Sequence, residues 1–392
     1  MKCLIATSTL GAVSEVWLWR QIIGLKRLKP IVLTWAYCNR EDYPLNGIDL
    51  HLLQEEQQLD VARPGIAGWV HRVRRAPNGN FFGTAGSEKR AIYEILTRER
   101  PEAILCHFGM IALRVLPVAL ELGIPLVAHF HGIDISSVLL RNNRWYRWSL
   151  ARHVHSFSSI IVVDDHQRKW FADHGVCEEK LHTIPCGVPT SMFAPSSVRS
   201  ESPINYVTVS RLSPEKALHL TIVAFHKLLQ RYPSATLTII GDGPERNRLE
   251  QMVNQMHLEG VVVLTGSLPP MQVRERLSKA HVFLQHSTVR EGSSVSIAEA
   301  SSMALPVVAT RCGGIVSQIV HGETGYLVDQ YDVDNMAHYM LRLAQDGGMR
   351  ERMGKSGRRR MVEHFDTARQ IAKLEQVIVA AAERNPTRST VE

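Results

Sequence analysis

Residues 206–225 read YVTVSRLSPEKALHLTIVAF, and residues 235–252 read ATLTIIGDGPERNRLEQM. Each stretch opens on a β-branched apolar run too short for a helix, passes through a polar or glycine turn, and continues as an amphipathic segment of helix length. Repeated strand–turn–helix units predict a parallel sheet with crossover helices. Downstream the pattern predicts further strands near 261–264, 282–285, 306–310 and 325–328. Upstream a second series stands at 2–7, 31–35, 48–53, 103–106, 125–130, 159–163 and 181–184. The chain is therefore α/β, with two doubly wound domains in tandem.

Between the two series, GVPTSMFAPSSVRSESP (187–203) is rich in Pro and Ser and lacks apolar periodicity, as a connection between domains does. The expected division is 1–195 for the first domain and 204–366 for the second, with a helix over 367–385 returning to the first. A chain of 392 residues exceeds what one core usually serves, which fits two domains. The long helical pattern over 333–383 is expected to break at the glycines of QDGGMRERMGKSG (345–357) and again at EHFDTARQ (363–370). Residues 54–86 hold no strand pattern and read as a functional or partly mobile loop, and the tail ERNPTRSTVE (383–392) reads as disordered.

Composition excludes several classes of function. No apolar run approaches the roughly 18 to 20 residues of a membrane span, and the N-terminal apolar run is too short for a signal peptide. The expected location is cytoplasmic, at the inner face of the plasma membrane if the basic segments meet it. The six cysteines have no paired spacing, so neither a zinc ribbon nor a redox dithiol is expected. The excess of 45 Lys and Arg over 38 Asp and Glu is shared by both halves, so nucleic acid is not an expected partner. Basic runs at 63–75 and 141–152 and at Arg358, Arg359 and Arg360 read as solvated faces; Trp69, Trp145 and Trp148 beside arginines also suit an anionic membrane surface.

The chemistry concentrates at the ends of predicted strands. Arg211 follows one strand and Lys216 precedes the next helix, so two cations stand beside helix N–H groups, a setting for a diphosphate. Gly241 and Gly243 allow close approach to the backbone, by a ligand or simply by a turn. In REGSSVSIAEASSMALPVVATRCGGIVSQIVHGETGYLV (290–328), Glu291 lies in a loop before Gly292, and Glu299 follows after seven intervening residues on a helix. Ser293, Ser294 and Ser296 keep that helix start polar, with N–H groups open to an anion or a sugar hydroxyl. Two carboxylates in such a pocket suit the vicinal hydroxyls of ribose and hexose.

This segment resembles the E-x7-E signature of the retaining glycosyltransferases of family four, which share the GT-B fold of two Rossmann-like domains facing across a cleft. The resemblance covers nearly the whole chain. It implies that Glu299 holds the donor ribose, that Glu291 with Gly292, Ser293, Ser294 and Val295 meets the transferred sugar, and that Arg211 and Lys216 neutralise the diphosphate leaving group. TGSLPPMQV (265–273) resembles the segment whose backbone, near Gly266 and Leu268, faces the nucleobase. STLGAVSEVWLWRQI (8–22) resembles the family's glycine loop, in which Gly11 approaches the diphosphate and Ser14 caps the first helix. ILCHFGMIALRVLPVALELGIPLVAHFHGIDIS (104–136) is similar to the colanic-acid and lipopolysaccharide branch, which implies that His131 contacts the donor sugar and Asp134 braces its loop. His107 reads as structural, as do His281 and His286.

The resemblance implies transfer of a hexose from a UDP-, GDP- or ADP-sugar to a glycan or lipid-linked acceptor, with retention. It implies no metal and no cofactor beyond the nucleotide-sugar co-substrate, because two cations and the helix ends supply the positive charge. Ser294 stands where the family often has Pro, and Ser317 where it has an acidic residue. Those departures motivate the alternative, a catalytically weak nucleotide-sugar-binding subunit of a polysaccharide-assembly complex. A dinucleotide oxidoreductase is disfavoured because TSTLGAVSE (7–15) lacks G-x-G-x-x-G.

Overall fold

The structure is a computed structural model that describes residues 1–12, 15–53, 80, 82–132, 134–135, 137–195 and 202–384. Ser14, the basic run with Trp69, and residues 385–392 of the tail lie outside the described residues. The chain forms two compact units, Met1–Pro185 with Gln370–Glu392, and Cys186–Arg369.

The first unit is built on strands β1 (Lys2–Leu10), β2 (Lys29–Tyr37), β3 (Asp49–Leu52), β4 (Ala103–His107), β5 (Leu126–His129), β6 (Ser159–Val162) and β7 (Leu181–Thr183), in the order β3-β2-β1-β4-β5-β6-β7. Every pairing is parallel; Leu4 of β1, for example, pairs with Ile31 of β2 and Ile104 of β4. The second unit carries β8 (Ile204–Val209), β9 (Ala235–Ile240), β10 (Val262–Gly266), β11 (Val282–Gln285), β12 (Val307–Thr310) and β13 (Gly325–Val328), in the order β10-β9-β8-β11-β12-β13. All the strands expected from the sequence are present, with ends that differ by three residues at most.

The alternation of side chains along a strand gives each sheet two cores. Leu4 and Ala6 of β1 face one cluster with Ile104 and Val115, while Cys3 and Ile5 face another with Leu18, Ile22 and Leu374. In the second unit Val308 joins Ile222 and Met340, and Val307 and Ala309 join Ile297 and Met361 on the other face. Each fully buried Leu, Ile, Val or Met among them contributes about 1.5–3 kcal/mol.

The strand order reverses direction between β1 and β4 in the first sheet and between β8 and β11 in the second. At such switch points the crossovers leave in opposite directions and open a crevice at the carboxyl ends of the strands. Gly11 and His107 follow or end the strands at one switch point, and Arg211 and Gln285 stand at the other.

Two expectations about chain breaks differ from the structure. The segment after Pro185 is built into the second unit: Val188 N–H donates to Phe365 O at 2.8 Å, Thr367 N–H donates to Val188 O at 2.9 Å, and Val188 and Phe193 are buried. Gly354 and Gly357 also lie inside one helix, Gly347–His364, instead of breaking it. A Cβ on Gly354 would overlap the carbonyl oxygen of Ala304, so this glycine serves close packing.

Arg358 and Arg360, read from sequence as part of a solvated basic run, are turned inward. Arg358 donates to the carbonyls of Thr190, Phe193 and Ser302, and Arg360 to that of Ser317.

The returning helix, Thr367–Glu383, is fastened to the first unit by a buried carboxylate. Glu375 Oε1 accepts the backbone N–H groups of Lys26, Arg27 and Leu28 at 2.8, 2.6 and 3.2 Å. Removing it leaves these donors without that acceptor, at a cost of about 1–3 kcal/mol for a buried group. Glu375→Ala is expected to lower the thermal midpoint clearly and Glu375→Gln, which keeps one acceptor oxygen, to lower it less; differential scanning fluorimetry of the two variants checks the order.

Candidate functional site

In the second unit the site grows out of the β8 and β11 ends. After β8 the chain passes Arg211 and a 3-10 turn, Pro214–Lys216, to Ala217 at φ 44°, and only then enters the helix Leu218–Leu229. The left-handed residue gives the loop its sharp reversal just after Lys216. Arg211 Nη2 and Ser213 Oγ both donate to Glu215 Oε1, at 2.8 and 2.7 Å. Burial pushes the Glu215 carboxyl up, but these bonds outweigh it and leave it below its ordinary value. Thr288 N–H donates to Glu215 O at 2.9 Å, which ties this loop to the one after β11.

Glu291 is held by side chains of both loops. Its Oε2 lies 2.6 Å from Lys216 Nζ, and its Oε1 accepts from Gln285 Nε2 at 3.1 Å. Its carbonyl accepts from Gly314 N–H at 2.8 Å, and Gly313, at φ 53°, packs so closely that a Cβ would overlap that carbonyl oxygen. Gln285 also accepts from Ser294 Oγ at 2.9 Å and from Ser296 Oγ at 3.3 Å. One buried amide thus links the acidic loop to the first turn of the helix Val295–Ser302.

Ser294 caps that helix, its Oγ accepting from Ile297 N–H at 3.4 Å. Its own N–H donates to Gln318 Oε1 at 3.1 Å, and its carbonyl accepts from Gln318 Nε2 at 2.8 Å. Side chains thus take the Ser294 and Ile297 amides, two of the N–H groups at this helix start. A proline at 294 would have no N–H for Gln318, so the two residues form a matched pair. Ser293 Oγ is buried without a protein partner among the described residues, Gly292 is buried beside it, and Val295 opens the helix. Glu299 lies on the same helix and is buried.

Four of the expected donor-side positions are shaped by packing. Gly241 and Gly243 have φ 136° and 157°, and a Cβ on either would overlap the carbonyl oxygen of Ser210 or Leu212. These glycines let the turn after β9 lie directly on the Arg211 loop. Gly266, at φ 76°, accepts from Gly241 N–H at 2.9 Å, and Leu268 packs against the core cluster around Ile240 and Phe283.

In the first unit Gly11, at φ 78°, turns the chain beneath Cys38, and its carbonyl accepts from Asn39 Nδ2 at 2.9 Å. His131 is buried, with its ring 4.2 Å from that of Trp17 and its Nε2 3.1 Å from His107 Nδ1. His107 therefore belongs to the same cluster as His131, a link that the sequence reading missed. Asp134 Oδ2 accepts from His131 N–H at 2.7 Å and its Oδ1 from Gly109 N–H at 3.0 Å. Burial raises its pKa to about 7 against the pull of those two bonds. His129, which ends β5, is a third buried imidazole, and burial lowers its pKa to about 3 against a weaker upward pull from the Ile184 backbone.

Two tests address the second unit. Gln285→Leu removes the partner of Glu291 Oε1 and of two serine hydroxyls, so a loss of about 1–3 kcal/mol is expected in a urea titration, with Ser296→Ala costing less. His286 is buried, and burial, followed by the charge of His219, lowers its pKa from 6.5 to about 4. The unfolded chain then binds this proton before the folded one, so the stability present above the unfolded value is lost as pH falls through about 4. His286→Phe is expected to show a smaller drop in melting temperature than the parent chain between about pH 7 and about pH 5.

Two family models match consecutive parts of the chain: Glycosyltransferase Family 4 over residues 44–192 and Glycosyl transferases group 1 over residues 193–360. The putative colanic acid biosynthesis glycosyltransferase WcaL of Escherichia coli is 28% identical over 261 residues, which cover 64% of this chain and 64% of that protein. One subunit of human phosphatidylinositol N-acetylglucosaminyltransferase is 33% identical over 313 residues, 78% of this chain and 60% of that protein. The chain thus aligns with somewhat under two thirds of the length of either relative. Among solved structures, Anabaena HepE in complex with UDP and glucose superposes with a TM-score of 0.77 at 18% identity, over 97% of this chain and 100% of that one. With two parallel sheets of the GT-B kind and both family models in sequence, the chain belongs to the family 4, group 1 glycosyltransferases.

Proposed function

We propose that this chain transfers a hexose from a nucleotide-sugar donor to an acceptor hydroxyl, with retention at the anomeric carbon, in the assembly of an envelope or exported polysaccharide. The observation that carries the reading is the Lys216–Glu291 pair, 2.6 Å apart at the switch point of the second sheet. A cation and a carboxylate that close together meet opposite parts of one ligand: phosphate oxygens on one side, hydroxyl donors on the other. A sugar nucleotide offers both within a few bonds.

In this reading Arg211 and Lys216 stabilise the departing diphosphate, Glu291 with Gly292, Ser293, Ser294 and Val295 orients the sugar, and Glu299 accepts the ribose hydroxyls. Gly241, Gly266 and Leu268 shape the nucleotide's surroundings. Gly11, Ser14, His131 and Asp134 act from the first unit, with His131 toward the donor sugar. The developing negative charge on the leaving group is met by fixed cations, which supports metal-independent transfer. Retention follows from front-side attack through an oxocarbenium-like state, in which positioning supplies much of the rate.

The donor base is uracil, guanine or adenine. The acceptor is a glycan or lipid-linked hydroxyl; the names of the relatives, which mention colanic acid and phosphatidylinositol, support that class. Among the described residues no helix is long and apolar enough to cross a membrane. Exposed Trp148, with Arg152 over its ring at 5.6 Å, supports contact with an anionic membrane surface.

The test is a panel of UDP-, GDP- and ADP-sugars followed by NMR, reading donor affinity and the anomeric configuration of the product. Glu299→Ala is expected to weaken nucleotide binding about ten- to a hundredfold, the loss of one charge-assisted hydrogen bond, in a chain that remains folded. Unaltered affinity in that variant removes the ribose role, and an inverted product removes the retaining mechanism.

A further inference from the structure

Three histidines close over the carboxyl ends of neighbouring strands in the first sheet. His107 ends β4, His129 ends β5, and His131 follows two residues later. Their ring centroids are 5.3 Å apart for His107 and His129, 5.4 Å for His107 and His131, and 4.3 Å for His129 and His131. One nitrogen of each ring lies within 4.8 Å of the chosen nitrogens of the other two, and all three side chains are buried.

Protein hydrogen bonds account for little of this polarity. His107 Nδ1 and His131 Nε2 face each other at 3.1 Å. Among the described residues, His107 Nε2, His131 Nδ1 and both nitrogens of His129 are buried with no partner at hydrogen-bond geometry. Buried polar atoms are almost always satisfied, and each one left alone costs about 1–3 kcal/mol. Few protein bonds fix the tautomers of these rings, so one nitrogen of each can turn its lone pair to a shared ligand.

We propose that His107, His129 and His131 form a binding site for a divalent transition-metal ion of the zinc type, bound through one nitrogen of each ring, with a further position open. Three imidazoles suit Zn²⁺ and Co²⁺, and the absence of a carboxylate among the three ligands disfavours Mg²⁺ and Ca²⁺. The anchored carboxylate beside the cluster, Asp134, already accepts two backbone N–H groups. Nitrogens bound to zinc at about 2.1 Å lie roughly 3.4 Å from one another in a tetrahedron, so small ring rotations complete the set. The hydrogen shared by His107 and His131 moves to the outer nitrogen of the ring that carries it, so neutral rings bind the ion without releasing a proton. Glu15, with a buried Oε2 that has no partner among the described residues, acts electrostatically on Asp134, and these two carboxyl groups help to balance the ion's charge.

This ion is no part of the transfer chemistry proposed above. On the reading that His131 faces the donor sugar, it is an inhibitor, because it takes the lone pair that the sugar hydroxyl would meet.

The probe is Co²⁺ titrated into the full chain, read by the visible bands of tetrahedral cobalt, with Zn²⁺ displacing it in competition. One equivalent is expected to bind, and His107→Phe and His129→Phe are each expected to weaken it at least about a hundredfold, beyond the loss typical of a supporting group. Absence of tetrahedral bands in the parent chain overturns the site whatever the variants do, and so do bands that persist unchanged in both folded variants. A second arm measures transfer with one equivalent of Zn²⁺, then with chelator. Reversible loss that is absent in His129→Phe supports inhibition; full activity with the cobalt-competent site filled overturns the inhibitory role while the spectrum still supports the site. Since binding is read without turnover, a chain that transfers no sugar can still bind cobalt, and the two readings fail separately.

Discussion

The contact on which the second unit's polar network depends is the carboxylate of Glu291, held by Lys216 on one oxygen and Gln285 on the other. A partly buried ion pair gains little if its remaining lone pairs are empty, because desolvation offsets much of the Coulomb attraction. Gln285 fills that gap, and its own oxygen is filled by two serine hydroxyls at the start of the next helix. The charge, the loop and the helix are therefore satisfied as one network or not at all. Such networks fix a single geometry because each half-made state strands a buried polar group.

The backbone beneath this network is equally constrained. Gly313 lies against the Glu291 carbonyl, and Gly241 and Gly243 lie against the carbonyls of the Arg211 loop. In each case a glycine at positive φ lets one turn rest on the polar edge of another. Preorganisation of the charged side chains starts from these contacts, since long cations hold a position only when the loop that carries them has one.

The strands were legible because a parallel strand buried on both faces is an apolar run bounded by polar turns, and local composition reports that directly. The positions of Arg211, Lys216 and Glu291 were legible from the same pattern, as residues of the turns that link a strand to the next helix. Gln285 and Gln318 were not. Their roles are hydrogen bonds to residues six to twenty-four positions away, and nothing in the letters QHS or SQI distinguishes a bridging amide from a solvated one. Gly354 misled in the opposite direction: a glycine in a helix pattern weakens the helix in isolation, and only the Ala304 carbonyl reveals why it is there. His107 looked structural because its partner, His131, comes from the end of a different strand-loop unit.

The same reasoning makes sense of the two departures from the family pattern. At 294 a proline would restrict the backbone by its ring; serine restricts it by hydrogen bonds, with Oγ on Ile297 and Gln285 and the backbone on Gln318. At 317 the serine donates its hydroxyl to Gly314 O, and its carbonyl accepts from Arg360. Gln318 thereby stands in a turn anchored from both sides and reaches Ser294 with both ends of its amide. At 294 the fold exchanges a covalent constraint for a polar one, while at 317 a short hydroxyl stands in place of a carboxylate and bonds within its own turn.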